Sequence, residues 1–368
     1  MENLAHTLLG LSLAKAGLER ATPLATTTLI ISSNLPDIDV LSRLTGDTLS
    51  YLRYHRGFTH GFTGILLLAA MLAFALVYID RRFRLRSDPF RRPIRPFRIF
   101  LLAYLGGLGH AFMDFTNSYG VRPLLPFSDR WFYGDLIFVL DPWIWIMLGA
   151  ASVWLTAKDP VRTGFWLVIG VLMSLVVAGA LPRPTAAFPV AIPTATRVVW
   201  FAGLALIVLG AALRWGRAGQ RIARFGLLAL ALYYGGMWLA GQEAQSRAAA
   251  SLPAATLKEP VTWPTPANPL VWQAVAGTDE VSYTSFIDLA GGRADWRQND
   301  ALDPNLAEAL RQSPEARAFL GFTRFAISSV QQREDGYSVT VRDARFDLRM
   351  NVLLDQNLSV QSIDVRWF

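Results

Sequence analysis

Residues 99–115 read Ile-Phe-Leu-Leu-Ala-Tyr-Leu-Gly-Gly-Leu-Gly-His-Ala-Phe-Met-Asp-Phe. The run is nearly long enough to cross the hydrocarbon core of a bilayer, which takes about 20 apolar residues. Yet it carries His110 and Asp114. Four residues apart on a helix, the two side chains share one face about a turn from each other. Ionisable groups inside a membrane segment are costly unless they are paired or functional. Gly106, Gly107 and Gly109 let a neighbouring helix come close, as a crowded ligand shell requires. The stretch predicts a membrane helix bearing a polar site; the plainer alternative is a hydrogen-bonded pair between helices.

Outward from this stretch, apolar runs recur at 62–79, 137–157, 164–181 and 198–213, with a sixth at 225–240. Two shorter runs, 4–18 and 23–35, precede them. These are marginal as independent spans and suggest a helical hairpin that enters the membrane under cover of the others. The first residues have no basic leader and are expected to be retained rather than cleaved. After about residue 241 the hydrophobicity alternates with polar residues instead of running. Residues 182–196 and 253–269 are proline-rich and read as a linker and a connector. Alternating runs at 281–289, 324–331, 337–341, 345–354 and 359–368 predict strands, with turns at Asp335-Gly336 and Asp355-Gln356-Asn357, and 306–319 predicts a helix. The expected fold is mostly α: a polytopic helical membrane domain with a C-terminal α+β domain containing an antiparallel meander. The expected divisions are 1–160 for the metal-site membrane domain, 161–241 for additional transmembrane helices, 242–269 for a helix extension and linker, and 270–368 for the α+β domain.

The formal net charge is +7, and almost all the positive charge is arginine. The arginines gather in loops between apolar runs, which points to an anionic membrane surface and away from nucleic acid. Arg81, Arg82, Arg84, Arg86, Arg91, Arg92, Arg95 and Arg98 all lie between the runs 62–79 and 99–115. The positive-inside rule places that loop in the cytoplasm. Alternating crossings then put Lys158, Arg162, Arg214, Arg217, Arg221 and Arg224 inside as well. The C-terminal domain falls on the extracytoplasmic side, as a lid or a substrate- or partner-binding module. A bacterial-type inner membrane protein is expected.

The same crossing count brings one set of groups to the outer level. They are His6, Asp37 and Asp39 in Asn34-Leu35-Pro36-Asp37-Ile38-Asp39, His55 and His60 in His55-Arg56-Gly57-Phe58-Thr59-His60, and His110 with Asp114. All four histidines of the chain are in this set. There is no cysteine, so thiolate ligands and a cysteine nucleophile are excluded. Imidazole and carboxylate together are what a borderline divalent ion such as zinc takes from such a protein. Asp37 and Asp39 alone would read as a turn after Pro36. Arg56, beside the histidines, suits an anionic group such as a phosphate, or else lipid headgroups. Asp135 is expected at the outer interface, and Asp141 one to two turns into the next span, a functional candidate by position.

The pattern of an early His, Leu-Pro-Asp-Ile-Asp, His-Arg-Gly-Phe-Thr-His, Gly-His-Ala-Phe-Met-Asp, Gly-Asp and a later Asp-Pro resembles the YdjM-like membrane-bound metal-dependent hydrolases. The likeness covers roughly residues 1–150. That family has been likened to zinc-dependent phospholipase C and P1 nuclease. The resemblance implies metal binding by His6, by Asp37, Asp39 or both, by His55, His60 or both, and by His110 and Asp114. No histidine follows His110, so one or two ions are implied, with Asp135 and Asp141 the remaining carboxylates. The expected function is a metal-dependent hydrolase of a phosphoester, lipid or lipid-linked, at the outer face, with Arg56, Asp135 and Asp141 as catalytic candidates. The alternatives are an ion pathway through His110, Asp114 and Asp141, and an assembly protein with a structural metal.

Overall fold

A computed structural model describes residues 1–45, 48–88, 90–179, 192–253, 259–278, 280–292, 294–346 and 348–367. It divides into two compact units: 1–38, 56–179 and 192–237 form the first, and 39–55 with 238–367 the second. Of the linker expected at 182–196, residues 182–191 lie outside the described residues.

The first unit is helical: α1 (Asn3–Lys15), α2 (Ala25–Ser32), α3 (Phe62–Ile79), α4 (Pro96–Phe115), α5 (Pro142–Thr156), α6 (Pro160–Val177), α7 (Thr194–Ala212) and the first part of α8 (Gln220–Ser251). Five helical stretches are long and apolar enough to cross a membrane: Phe62–Ser87, Pro96–Phe115, Pro160–Val177, Thr194–Ala212 and Gln220–Ser251. Their outer faces are bare hydrocarbon, with Phe74, Phe165, Val208 and Phe225 all exposed. Such surface is stable only against lipid or another apolar partner.

The run 137–157 differs from expectation. Its helix begins only at Pro142, with 15 residues. Asp141 caps it, accepting a hydrogen bond from the Trp143 backbone N–H at 2.9 Å, and Pro142 presets the first helical turn. At 1.5 Å per residue it is about 22 Å long, short of a full span. The same Asp-Pro or Ser-Pro start recurs at Asp159-Pro160, Asp303-Pro304 and Ser313-Pro314, each with a side-chain cap.

The two short N-terminal helices pack on one another and on α4 and α5. Gly10 is the reason α1 and α2 can touch. A Cβ there would lie 2.6 Å from the Leu29 carbonyl oxygen and 2.4 Å from Ser33 Oγ. Gly10→Ala is therefore expected to cost about 1–3 kcal/mol by overpacking. Gly149→Ala, where nothing lies within 4 Å, should be neutral or better. Thermal unfolding in detergent compares the two; equal melting temperatures would show that the contact at Gly10 is unimportant.

Basic residues gather at one set of helix ends. Arg98 Nη1 donates to the Ala21 carbonyl at 2.8 Å and Arg224 Nε to the Ala16 carbonyl at 3.0 Å, while the Arg95 backbone N–H donates to Thr22 Oγ1 at 2.9 Å. The end of α1, the start of α4 and the start of α8 thus meet there. His110 is twelve residues, about 18 Å, along α4 from Arg98.

The second unit holds the short helices Ser42–Thr45 and Thr48–Tyr54, the last part of α8, eight strands and two further helices, α9 (Pro304–Arg311) and α10 (Pro314–Phe322). The strands make two four-stranded antiparallel sheets in sequence order, β1-β2-β3-β4 and β5-β6-β7-β8. They are β1 Val261–Thr265, β2 Asn268–Gly277, β3 Val281–Asp288, β4 Arg297–Asp300, β5 Ala326–Arg333, β6 Gly336–Asp343, β7 Leu348–Asp355 and β8 Val360–Trp367. β1 and most of β2 lie in or beside the stretch read as a connector. Pro264 is accommodated because β1 is an edge strand, with its register broken at Pro264/Thr265. The expected helix 306–319 is two helices, broken at Ser313-Pro314. In β2, Trp272 is fully buried, and a Cβ on Gly241 would lie 3.1 Å from its ring. Arg247 of α8 donates to the Asp288 and Leu289 carbonyls at 3.3 and 3.2 Å. The helix and the first sheet are thereby joined by packing and by hydrogen bonds.

Candidate metal centre

Four side chains of the first unit converge on one point: Asp37, His60, His110 and Asp114. Each is delivered by local structure. Pro36 ends the chain's run out of α2, and Asp37 sits in the 3-10 stretch Leu35–Leu41. His60 ends the 3-10 turn Phe58–His60 that leads into α3. His110 and Asp114 are one turn apart on the buried face of α4. Close approach is possible because Gly106 and Gly107 are small. A Cβ on Gly106 would lie 2.0 Å from Ser32 Oγ, and one on Gly107 2.6 Å from Ile65 Cγ2.

The distances are these. His110 Nε2 lies 3.0 Å from His60 Nε2, 3.3 Å from Asp114 Oδ2 and 3.6 Å from Asp37 Oδ1. His60 Nε2 lies 3.2 Å from Asp114 Oδ2 and 3.5 Å from Asp37 Oδ1. A tetrahedron with bonds of about 2.0–2.1 Å has edges of about 3.3–3.4 Å. These five edges bracket that length. Both histidines are fully buried and Asp114 is 1% exposed, whereas the Asp37 side chain is 13% exposed. The cluster therefore reaches the surface of the unit through Asp37.

The outer partners fix the rings. His110 Nδ1 lies 2.8 Å from the Ser33 carbonyl oxygen. A carbonyl only accepts, so Nδ1 carries a proton, and in the neutral ring Nε2 turns a lone pair into the cluster. His60 Nδ1 lies 3.1 Å from Thr59 Oγ1. Two imidazole nitrogens and two carboxylate oxygens then share one small volume. A proton satisfies one pair of them; a divalent cation satisfies all four. At Asp37, burial pushes the carboxyl pKa up, but the His110 and His60 imidazoles beside it outweigh that and hold the group below the usual carboxylate range. Asp37 is thus an anion, the ligating form. Partners of this outer kind are worth about ten- to hundredfold in metal affinity. Thr59→Val should weaken zinc binding by that factor and Thr59→Ser should restore it, measured by competition with a chelating dye. Equal affinity in all three would remove Thr59 from the account.

Arg56 is buried, not turned towards headgroups. Its Nη2 lies 2.9 Å from Asp114 Oδ1, and the Met1 amino nitrogen lies against the same oxygen. Arg56 Nη1 donates to Asn117 Oδ1 at 2.9 Å, and its guanidinium stacks 4.4 Å from the Tyr119 ring centroid. Arg56 has φ of 53°, a left-handed conformation rare outside glycine. Its fork holds Asp114 Oδ1 while Oδ2 faces the histidines.

His6 stacks on His110, with ring centroids 3.7 Å apart and planes at 19°, and its Nε2 lies 3.5 Å from Asp114 Oδ1. It is fully buried, and neither ring nitrogen makes a hydrogen bond among the described residues. Asp39 and His55 belong to the second unit, where His55 Nδ1 lies 2.8 Å from Asp39 Oδ1 and the ring stacks on Tyr51. Asp135 has φ of 54°, and Asp141 is the cap of α5, also accepting from Tyr233 Oη at 2.8 Å. Among the described residues neither joins the group of four. Asn117, Tyr119 and the Ser33 carbonyl are partners that the sequence did not single out. Asn117 has a weak signal, lying three residues beyond Asp114.

These features define a polytopic helical membrane protein with a buried His/Asp cluster able to hold a metal ion. The chain belongs to the YdjM inner membrane protein family, whose model matches residues 1–186. It is 31% identical over 132 residues to the uncharacterized protein YfhP of Bacillus subtilis, a match covering 36% of this chain and 37% of that relative. The chain thus matches little more than a third of that relative's length. No solved structure matches. The likeness to phospholipase C and P1 nuclease receives no support from these comparisons.

Proposed function

We propose that the protein is a membrane metal-dependent hydrolase that holds one zinc-like ion between Asp37, His60, His110 and Asp114 and cleaves a phosphoester of a lipid or lipid-linked substrate. The observation that carries it is the near-tetrahedral spacing of four electron-rich atoms, three of them on buried side chains and the fourth on the half-buried Asp37. When bound, the ion supplies electrophilic assistance to a phosphoryl oxygen and a nucleophile at neutral pH. The chain's own residues do the rest. Ser33 and Thr59 orient the two imidazoles. Arg56 holds one oxygen of Asp114 so that the other faces inward. Helices α1 and α4 exclude water from three of the four donors. Asp37 is the donor with access to the surface, so substrate enters on its side.

The gathering of basic residues at the opposite helix ends supports an extracytoplasmic site, through the positive-inside rule. A screen of phosphodiesters and lipid phosphates in detergent tests the activity. Turnover is expected from the zinc-loaded protein and not from His110→Ala or Asp114→Ala. A second reading is favoured by the donor count: four protein ligands close a tetrahedron, as structural zinc sites do. In that case chelation lowers the melting temperature, and no substrate in the screen turns over.

A further inference from the structure

Segment 80–98 joins α3 to α4 and carries eight arginines against two aspartates. It is a built surface. Asp80 is buried and accepts the Ile94 backbone N–H at 3.0 Å; Arg84 pairs with it through Nε and reaches the Arg92 carbonyl. Ile94 packs with Ala73, Leu76 and Ile99, and Arg95 and Arg98 tie the far end to Thr22 and Ala21. A π turn at Asp80–Arg84 carries the helical stretch from α3 on to Ser87.

Arg81, Arg82, Arg86, Arg92 and Arg95 are exposed, and among the described residues the segment's carboxylates pair only with Arg84 and Arg91. Interleaved with them, Phe83, Phe90 and Phe97 are 60%, 98% and 69% exposed. A solvated cationic loop has no use for bare phenyl rings. The interface of an anionic leaflet takes both, with guanidinium forks on phosphates and rings among the upper acyl carbons. The segment joins two helical stretches long and apolar enough to cross a membrane, and the ends of such helices fall among the headgroups.

We propose that segment 80–98 is a binding surface for acidic phospholipids of the adjacent leaflet. Arg81, Arg82, Arg86 and Arg92 take headgroup phosphates, and Phe83, Phe90 and Phe97 anchor among the chains. The claim is independent of the metal centre, which lies towards the other end of α4.

The test uses the full chain in a mild detergent, titrated with dioctanoyl phosphatidylglycerol, with dioctanoyl phosphatidylcholine, with inorganic phosphate and with a double-stranded oligonucleotide. Native mass spectrometry counts bound lipid, and fluorescence anisotropy follows the oligonucleotide. Phosphatidylglycerol should bind at least about tenfold more tightly than phosphatidylcholine, with binding falling as salt rises. The variant R81Q/R82Q/R86Q/R92Q should lose most of that preference while keeping its metal content and its melting temperature in phosphatidylcholine. The matched variant R333Q/R366Q, in the sheet unit, should keep the preference. Equal retention of the two lipids overturns the proposal, as does an unchanged preference in the quadruple variant. Tighter binding of the oligonucleotide, or of phosphate alone, overturns it in favour of a soluble anion. If the quadruple variant does not fold, R81Q/R82Q and R86Q/R92Q are read separately, and the proposal stands only if each lowers the preference.

Discussion

Asp343→Ala is expected to remove about 3–5 kcal/mol from the stability of the sheet unit, the cost of leaving a buried charge without its partner. Asp343 and Arg345 are both fully buried. Arg345 Nη2 lies 2.6 Å from Asp343 Oδ2, and Nε lies 3.0 Å from Oδ1. Arg345 Nη2 also donates to the Phe322 carbonyl at 2.7 Å, and the guanidinium lies 4.9 and 5.1 Å from the ring centroids of Phe322 and Phe346. The pair ties the β6–β7 turn to the end of α10. Asp343 also accepts the Arg324 backbone N–H at 3.1 Å, so the truncation unseats the start of β5 as well. Asp343→Ala/Arg345→Met, which removes both charges, should be the milder change despite two substitutions. Proteolysis of membrane-embedded protein, with loss of the C-terminal fragment as the readout, separates these cases. A single variant no more susceptible than the double would contradict this account of the pair.

Arg56→Met is the second large effect, and it should depend on the ion. Without Arg56, the buried Asp114 carboxylate keeps only the Met1 amino group and the imidazoles beside it, a loss on the order of 3 kcal/mol in the metal-free protein. A bound divalent cation supplies the missing charge, so the loss should shrink when zinc is added. The wild-type protein, with Arg56 already in place at 2.9 Å, should gain less from zinc in melting temperature than the variant does. If zinc raised both proteins equally, Arg56 would be a packing residue and not an electrostatic partner of the site.

Much of the metal centre was legible in the sequence because it rests on side-chain identity and helical spacing. His110 and Asp114 declare themselves by lying four apart in an apolar run. His60 and Asp37 gain weight only from the topology that brings them to the same level. The parts that stayed hidden work through the backbone or through folding back. The Ser33 carbonyl that orients His110 has no signature in residue type. Arg56 reads as a cation for a phosphate or for lipid headgroups, and nothing in residue type shows that it holds Asp114 beside Asn117 and Tyr119. The membrane class followed from run length, but Asp141-Pro142 shortens one run, because a cap and a proline set a helix start whatever the hydropathy before them. In the sheet unit, alternation revealed β3 and β5–β8. β1 and β2 were masked by Pro264 and Pro269, and β4, Arg-Gln-Asn-Asp, has no apolar face to reveal it. Gly336 was legible as a turn and proves obligatory, with φ of 148° and the Leu354 carbonyl oxygen 2.0 Å from where a Cβ would stand.

The central claim is that four donors from three elements close on one ion. Elemental analysis of the full-length protein, purified through a tag without histidine and in the absence of chelators, tests this most directly. About one zinc-class ion per chain is expected to survive gel filtration, and His60→Ala/His110→Ala should carry essentially none. A folded wild-type protein that emerges metal-free, and takes up no zinc, manganese or cobalt when each is supplied, would contradict it.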